Sequence, residues 1–389
     1  MRRRPLRLRC VPPSYRARAA SAAIVAALLG CGQEGVDDVR IGFLPTTEGQ
    51  FRESGEGMVH AAELAVEQAN AAGGIVVDGR PRRVTLVTEL LPPVPEESAR
   101  GVQTLVNQGN VVAIVGPSLS DLAVTAAVYA NQSGVPMVSP GASHPDVTAD
   151  KPFVFRVTSA DPVQPRAMGK FAREDLQATR AAVLFEVTQV YSRDIASLFR
   201  EEFESRGGEV VAFEAYASGR EDFGAQLTTI LLARPDVLYL PNYPDDVRRQ
   251  VRQARTLGLE ATLLGSGAWS LLVLEGAHHF DGAYFSSSWN KDVDRSESRA
   301  FIETYRTTFA QDPATLAALT YDAFGLIFSA LRETGSVDGD QLRVSLQSLR
   351  GYPGVTGSIS YEGSGDPVKA TAILSIEGGR PRFHRWIAR

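Results

Sequence analysis

The stretch VVAIVGPSLSDLAVTAAVYANQSGVPMVSPGAS, residues 111–143, decides the fold class of this chain. Residues 111–115 are apolar and, except for Ala113, β-branched, and they predict a short buried strand. An Ala-rich segment over 119–130 has helical character, and a second short apolar run follows at 135–138. Strand, helix and strand in close succession indicate a parallel pair joined by a helical crossover, the unit from which α/β sheets are built.

The same alternation continues on both sides of this stretch. Strands are predicted at 39–44 and 84–87. One helix is predicted between them at 55–72, and a second follows at 95–108, before residue 111. After 153–157 a second series of helices and strands runs to residue 264, and two long helices follow at 296–308 and 316–334. The last part of the chain, 357–361 and 370–376, is predicted to pair as antiparallel strands around a Gly-Ser-Gly-Asp turn. Two α/β series with late helices predict two lobes between which the chain crosses more than once.

The carboxyl ends of parallel strands are where ligands bind in open α/β sheets. Two neighbouring loops at such ends are small and hydroxyl-bearing. One contains Ser120 at the start of a helix, where free backbone N–H groups suit a carboxylate or another anion. The other contains Gly141 and Ser143, which permit close approach of a ligand to the backbone. The alternative is that Ser120 only caps its helix and that the second loop only turns.

The first 31 residues have the layout of an export signal. Seven arginines precede an apolar run from Ala19 to Leu29, which is too short to span a bilayer. The sequence Leu-Leu-Gly-Cys at 28–31 resembles the bacterial lipobox, in which the cysteine is acylated. We therefore expect a lipoprotein signal peptide at 1–30, lipidation of Cys31 and a polar tether over 31–38. An ordinary signal peptide with a chance cysteine is the alternative.

Charge and composition argue against several classes of function. Beyond residue 30 the chain has 33 basic and 45 acidic residues, a net charge of −12 that disfavours nucleic acid as a partner. The five histidines form no metal-binding or metalloprotease pattern, and His278-His279 is interpreted as a solvated loop pair. No nucleophile elbow or complete dinucleotide fingerprint is present. We predict no enzyme activity, no metal and no cofactor.

Six segments in order resemble one family, the type I periplasmic binding proteins, in the leucine/isoleucine/valine-binding branch of ABC-transporter receptors. The similarity covers nearly all of residues 39–385. Besides residues 111–143, the segments are IGFLPTTEG (41–49), AAELAVEQANAAGGI (61–75), RQVRQARTLGL (249–259), ALTYDAFGLIFSAL (318–331) and GVTGSISYEGSGD (354–366).

The resemblance implies two Rossmann-like lobes joined by three hinge crossovers, with the ligand trapped between them. We expect lobe 1 to comprise 39–157 and 287–358, and lobe 2 to comprise 158–286 and 359–389. In lobe 1, Ser120 matches the serine that binds a ligand carboxylate, and Gly141 and Ser143 match a pair that contacts carboxylate and ammonium. In lobe 2, Tyr191 and Tyr243 match aromatic residues that close over the ligand.

The chain also departs from the family pattern. Gly267 stands where amino-acid binders often have an acidic partner for the ligand ammonium, and a buried ammonium without a carboxylate is costly. Trp269, two residues later, is a further candidate ligand contact. An aromatic residue expected near Ser54 is absent, and Leu119 replaces a cysteine. Asp322 is predicted to be a structural hydrogen-bonding partner for the other lobe or a hinge.

The function that follows is an extracytoplasmic, lipid-anchored and monomeric substrate-binding component of an ABC transporter. Its ligand would be an amino acid, such as a branched-chain one, or a related carboxylate or amide, and its protein partner a membrane permease. A ligand-sensing receptor that signals to a membrane partner is the alternative, because the same fold serves both.

Overall fold

A computed structural model describes residues 38–272 and 278–387 of the 389-residue chain. The predicted signal peptide and Cys31 lie outside the described residues. No helix within 38–272 or 278–387 combines the length and the apolar character that crossing a membrane requires.

The described residues alternate between short strands and helices as the sequence predicts. The strands are β1 (Val39–Phe43), β2 (Ile75–Val77), β3 (Arg80–Arg82), β4 (Val84–Thr88), β5 (Ala113–Val115), β6 (Met137–Ser139), β7 (Val154–Arg156), β8 (Arg180–Glu186), β9 (Glu209–Tyr216), β10 (Val237–Leu240), β11 (Thr262–Gly265), β12 (Tyr284–Ser287), β13 (Tyr352–Gly354), β14 (Gly357–Ile359), β15 (Thr371–Glu377) and β16 (Arg380–Ile387). The helices are α1 (Arg52–Ala71), α2 (Pro95–Asn107), α3 (Ser120–Gln132), α4 (Val163–Glu174), α5 (Val190–Ser205), α6 (Gly224–Ala233), α7 (Pro244–Thr256), α8 (Ser296–Phe309), α9 (Thr315–Thr334) and α10 (Gly339–Ser348).

Two sheets organise the chain. The first has the strand order β4-β1-β5-β6-β7 and is parallel throughout; with the helices packed on it, we call it lobe 1. The second has the order β16-β15-β12-β11-β10-β8-β9, in which β15 alone runs antiparallel to the other strands; with its helices it forms lobe 2. The chain passes between the sheets at 157–162, 288–295 and 360–370, which confirms the predicted fold of two lobes and three crossovers.

Each sheet is covered by helices on both faces. In lobe 1, α1, α9 and α10 bury one face, and α2 and α3 bury the other. In lobe 2, α4 and α5 cover one face, and α6 and α7 the other. Because both faces are covered, the central strands are apolar throughout: all three residues of β5 and all four of β10 are buried. The sheets are therefore rigid supports for the loops at their carboxyl ends.

The predicted pairing of the C-terminal strands is wrong. Residues 357–359 form β14 and pair with β13, whereas residues 371–377 form β15 and pair with β12 and β16. The turn between them closes only one isolated bridge, Tyr361 to Pro367. No strand is predicted where β16 lies, because its sequence (RPRFHRWI) contains proline and charged residues. These residues are tolerated in an edge strand, where one side of the strand faces solvent.

Candidate functional site

A cavity lies between the two lobes at the carboxyl ends of their central strands. The cavity contains about 580 Å³ of empty space, part of it open to solvent. It takes residues from the loops after β5 and β6 of lobe 1, from the loop after β11 and the starts of α5 and α7 of lobe 2, and from the first turns of α9. The lining residues are Ser118, Leu119, Ser120, Gly141, Ser143, Thr158, Gln164, Tyr191, Tyr243, Gly267, Ala268, Ser270, Leu271, Ser288, Thr315, Leu316 and Leu319. Five of the six predicted ligand-binding residues are among them.

Ser120 is the first residue of α3, and its side chain does not cap that helix. The N-cap position is taken by Leu119, which makes no side-chain capping bond. The Ser120 hydroxyl is buried and accepts a hydrogen bond from the backbone N–H of His144 at 3.3 Å. Within the described residues its proton has no acceptor, so it can be donated to a bound anion at the positive end of the helix.

The loop after β6 brings Gly141 and Ser143 against the α3 loop. A side chain at Gly141 would come within 3.1 Å of both the Ser118 carbonyl oxygen and Leu316 Cδ1. Glycine therefore keeps this wall of the cavity open. The Ser143 hydroxyl donates to Asp161 Oδ2 at 3.3 Å, which links the cavity wall to a buried acid behind it.

Burial raises the pKa of Asp161 to about 7, even though Arg156 and His144 lower it. Between the usual carboxyl pKa of 3.8 and this value, the folded protein holds a proton that the unfolded chain releases. The free energy of unfolding should therefore fall as the pH rises from 5 to 7, by at most about 1.4 kcal/mol per pH unit from this group.

We expect Asp161→Asn to remove this part of the pH dependence, because the amide has no proton to lose. Reversible urea unfolding of both proteins at pH 5, 6, 7 and 8 measures the difference between their slopes. Equal slopes in the two proteins would show that Asp161 does not titrate in this range.

Two tyrosines from lobe 2 cover the cavity opposite Ser120. Tyr191 is the second residue of α5 and Tyr243 precedes α7, and their rings stack with centroids 5.4 Å apart. The Tyr191 hydroxyl donates to Ser266 Oγ at 3.0 Å and accepts from the backbone N–H of Ala268 at 3.1 Å, so its ring is fixed within lobe 2. Phe51 of lobe 1 meets Tyr243 edge-on at 5.3 Å. This phenylalanine supplies a lobe 1 aromatic residue one turn before Ser54.

Trp269 is not part of the cavity. Its side chain is fully buried in the core of lobe 2, where it packs against Phe280 and Phe285. The indole N–H donates to the Leu240 carbonyl oxygen at 2.9 Å. Trp269 lies in a 3-10 turn in which Ala268 and Ser270 face the cavity, and the turn directs the intervening residue into the core. The expectation that Trp269 completes the enclosure is therefore corrected.

The sequence does not indicate the polar residues at the end of the cavity where the crossovers pass between the lobes, which we call the hinge end. Thr158 lies in the first crossover and Ser288 in the second, and their hydroxyl oxygens are 2.8 Å apart. The Gln164 amide nitrogen, on α4, donates to both, at 3.3 Å and 3.4 Å. Gly267 faces the same amide. Only the folding of two crossovers side by side brings these residues together, so no local pattern marks them.

Further contacts join the lobes around the cavity. His144 Nε2 of lobe 1 lies 2.8 Å from Asp194 Oδ2 of lobe 2, and the backbone N–H of Val190 donates to Asp121 Oδ1 at 3.2 Å. Gln50 Oε1 accepts from the Asp245 backbone N–H at 2.9 Å. These contacts, together with the aromatic cluster, indicate a closed arrangement of the lobes.

Two buried acids, Glu186 and Asp322, have structural roles. Glu186 is buried and accepts from the backbone N–H and hydroxyl of Thr188, and it does not line the cavity. Asp322 accepts from the backbone N–H groups of Val355 and Thr356 at 2.7 Å and 2.9 Å. It thereby holds the turn between β13 and β14, so its role is structural, but these hydrogen bonds go to this turn and not, as predicted, to the other lobe or a hinge.

The chemistry available in the cavity is that of neutral hydrogen-bonding groups. Among the described residues that line it, none has a charged side chain. Over 38–272 and 278–387, no group of three or more His, Cys, Asp or Glu residues is arranged to hold a metal ion. The site can bind and enclose a small molecule by hydrogen bonds and aromatic contact.

Comparison with known proteins gives consistent matches. The sequence profile of the periplasmic binding protein family matches residues 38–380. A leucine-, isoleucine-, valine-, threonine- and alanine-binding protein of Pseudomonas aeruginosa is 25% identical over 336 residues, covering 85% of this chain and 87% of that protein. Among solved structures, the leucine-binding protein LivK of Thermotoga maritima has a TM-score of 0.83 at 27% identity, covering 90% of this chain and 99% of that one.

The substrate-binding protein LivJ of Streptococcus pneumoniae, solved in complex with isoleucine, gives the same TM-score of 0.83 and 27% identity. Its alignment covers 90% of this chain and 100% of that chain. The match of the family profile over most of the chain and the two-lobed architecture lead to one assignment. The chain belongs to the periplasmic binding protein family.

Proposed function

We propose that this protein is the extracytoplasmic substrate-binding component of an ABC transporter. It captures a small polar solute with a carboxylate or carbonyl end, either an amino acid or a related carboxylate or amide. One observation carries the proposal: Ser120, Gly141 and Ser143 of lobe 1 face Tyr191 and Tyr243 of lobe 2 across one cavity. The branched-chain amino acids named for the relatives above support the same ligand class.

Binding would proceed without chemical change to the ligand, since the family is one of solute-binding proteins. The solute carboxylate first contacts the Ser120 hydroxyl and the N-terminus of α3, where the helix dipole favours negative charge. Lobe 2 then closes, and its two tyrosines cover the solute. Closure persists only to the extent that the ligand stabilises the closed state more than the open one. The membrane permease would recognise this closed form.

Periplasmic binding proteins act outside the cytoplasm, and a lipid on Cys31 would hold this one at the membrane surface. The signal-like residues before Cys31 support this part of the proposal. Mass spectrometry of the N-terminal peptide from the native host would detect the lipid. Cys31→Ala should move the protein from the membrane fraction to the soluble fraction, and unchanged fractionation would contradict lipid anchoring.

A solute that binds the folded protein raises its melting temperature, and the stabilisation grows with the logarithm of ligand concentration over Kd. A panel of amino acids, 2-hydroxy acids, aromatic acids, amides and urea should therefore contain compounds that shift it. Absence of any shift across the panel would contradict the proposed function.

Ser120→Ala should weaken binding of the identified ligand by roughly tenfold, because a hydrogen bond to a charged carboxylate is lost. Isothermal titration calorimetry measures the change. Ser133→Ala is a matched control, since Ser133 is an exposed serine at the far end of the same helix. Equal affinities of Ser120→Ala and the native protein would exclude this contact.

A further inference from the structure

Gln164 connects the cavity to two of the three crossovers between the lobes. Its side chain is more than nine-tenths buried, with 8% of the residue exposed. The amide nitrogen is occupied by the hydroxyls of Thr158 and Ser288, which belong to two different crossovers between the lobes. In this orientation of the amide, its oxygen is directed toward Gly267.

That oxygen has no hydrogen-bond partner within the described residues. An unsatisfied buried acceptor is costly, and native structures retain few of them. The oxygen itself has almost no accessible surface, but Gln164 and Gly267 both line the cavity, so a ligand with a donor placed beside Gly267 would satisfy it.

Gly267 is what permits the Gln164 oxygen to reach this position. A Cβ atom at residue 267 would lie 2.6 Å from Gln164 Oε1, closer than real side-chain contacts allow. The amide oxygen thus occupies the space that a side chain at 267 would need. Where an acid at this position would offer a charged acceptor, this cavity offers a neutral one.

The surrounding charges favour a neutral donor over a cation. No charged side chain belongs to the cavity-lining residues among those described, and a buried ammonium without a carboxylate partner is strongly disfavoured. The buried acid Asp161 lies behind Ser143 and already accepts from its hydroxyl. A hydroxyl donor satisfies the amide oxygen without bringing a second charge into the cavity.

We propose that Gln164 determines ligand specificity and that the preferred ligand is a small carboxylate with an adjacent uncharged hydrogen-bond donor, as in a 2-hydroxy acid. This inference rests on the proposed function, because it assumes that a solute carboxylate binds at Ser120. Gln164 accepts the hydroxyl proton through Oε1, while its amide nitrogen keeps the hinge hydroxyls in place. One side chain therefore contacts both the ligand and two of the crossovers between the lobes.

Matched pairs of ligands test the proposal by calorimetry at one pH. Each pair consists of an L-amino acid and the 2-hydroxy acid with the same side chain and configuration: alanine and lactate, leucine and 2-hydroxy-4-methylpentanoate, phenylalanine and phenyllactate. For the pair that binds best, the native protein should prefer the hydroxy acid by at least about tenfold. Equal or tighter binding of the amino acid would overturn the inference.

Two variants then assign the preference to Gln164. Gln164→Glu places a carboxylate in the same space and should shift the ratio toward the amino acid by about tenfold or more. Gln164→Met keeps the volume but removes the acceptor, so it should weaken the hydroxy acid and abolish the preference. If Gln164→Glu does not fold, Gln164→Met still tests whether the amide oxygen is needed for the preference. An unchanged ratio in a folded variant would overturn the role of Gln164.

The inference can fail while the proposed function stands. If other carboxylates from the thermal panel bind but no member of any pair does, the ligand class is wrong and the binding function is supported. If the amino acid binds more tightly and only Asp161→Asn removes that preference, Asp161 is the ammonium partner and the role of Gln164 is refuted. If neither the pairs nor the wider panel bind, both proposals fail.

Discussion

Truncating Tyr191 to alanine is expected to weaken ligand binding at least about a hundredfold, equivalent to roughly 3 kcal/mol. The ring lines the cavity, stacks on Tyr243 and belongs to the apolar cluster in which Phe51, Leu119 and Leu122 of lobe 1 meet lobe 2. Its removal leaves a hole in the surface that closes over the ligand. Because the same ring supports closure, the truncation penalises the closed state as well as the contact itself.

The Tyr191 hydroxyl makes a second contribution that can be separated from the ring. Tyr191→Phe retains the stacked face but leaves Ser266 and the Ala268 backbone N–H without their partner. A loss of about tenfold is expected for this variant, from imperfect positioning of the loop after β11. Calorimetry with the best solute of the thermal panel measures both variants.

Tyr352→Ala is the control for Tyr191, because Tyr352 is a half-buried tyrosine on β13 that does not line the cavity. Its loss should lower stability and leave Kd within about twofold of the native value, as expected for a substitution remote from the ligand. Equal affinity losses in Tyr352→Ala and Tyr191→Ala would mean that binding follows general stability. Native-like affinity in a folded Tyr191→Ala protein would exclude Tyr191 from the site.

The sheet architecture could be predicted from sequence because it depends on local patterns. Residues 111–143 contain β5, α3 and β6, and the predicted bounds of these three elements differ from the observed ones by at most two residues. Buried parallel strands are short apolar runs, and the helices between them have their own periodicity. Since ligands bind beyond the carboxyl ends of such strands, the loops with Ser120 and Ser143 could be identified before any contact was known.

The hinge end of the cavity could not be predicted in this way. Gln164 reaches the ligand space because the first crossover places the start of α4 beside the second crossover, which is more than 120 residues later in the chain. Such a contact depends on how the two lobes are joined, and neither apolar periodicity nor turn chemistry encodes it. The aromatic residue of lobe 1 could not be predicted for a similar reason. A 3-10 turn precedes α1, and it places the aromatic contact with Tyr243 at Phe51, one turn before the expected position near Ser54.

Replacing Trp269 by alanine is expected to lower the free energy of unfolding by roughly 3–5 kcal/mol, the range for a large aromatic residue removed from a packed core. The indole is fully buried, contacts Phe280 and Phe285, and donates to Leu240. Trp386→Ala is the matched control, because this tryptophan is 39% exposed on the edge strand β16 and should cost less than about 1 kcal/mol. Urea unfolding followed by far-UV circular dichroism measures both without relying on tryptophan fluorescence.

The packing of Trp269 can also be tested from the opposite side. A Cβ atom on Gly265 would lie 2.1 Å from Trp269 Cδ2, inside the contact distance of the ring, so Gly265→Ala should be destabilising by about 1–3 kcal/mol through overpacking. Trp269→Phe retains an aromatic filler, and once folded it should bind the ligand within about threefold of the native Kd, since the side chain does not line the cavity. A hundredfold loss of affinity at near-native stability would instead make Trp269 a ligand contact. The two readouts together distinguish a residue that maintains lobe 2 from one that binds the solute.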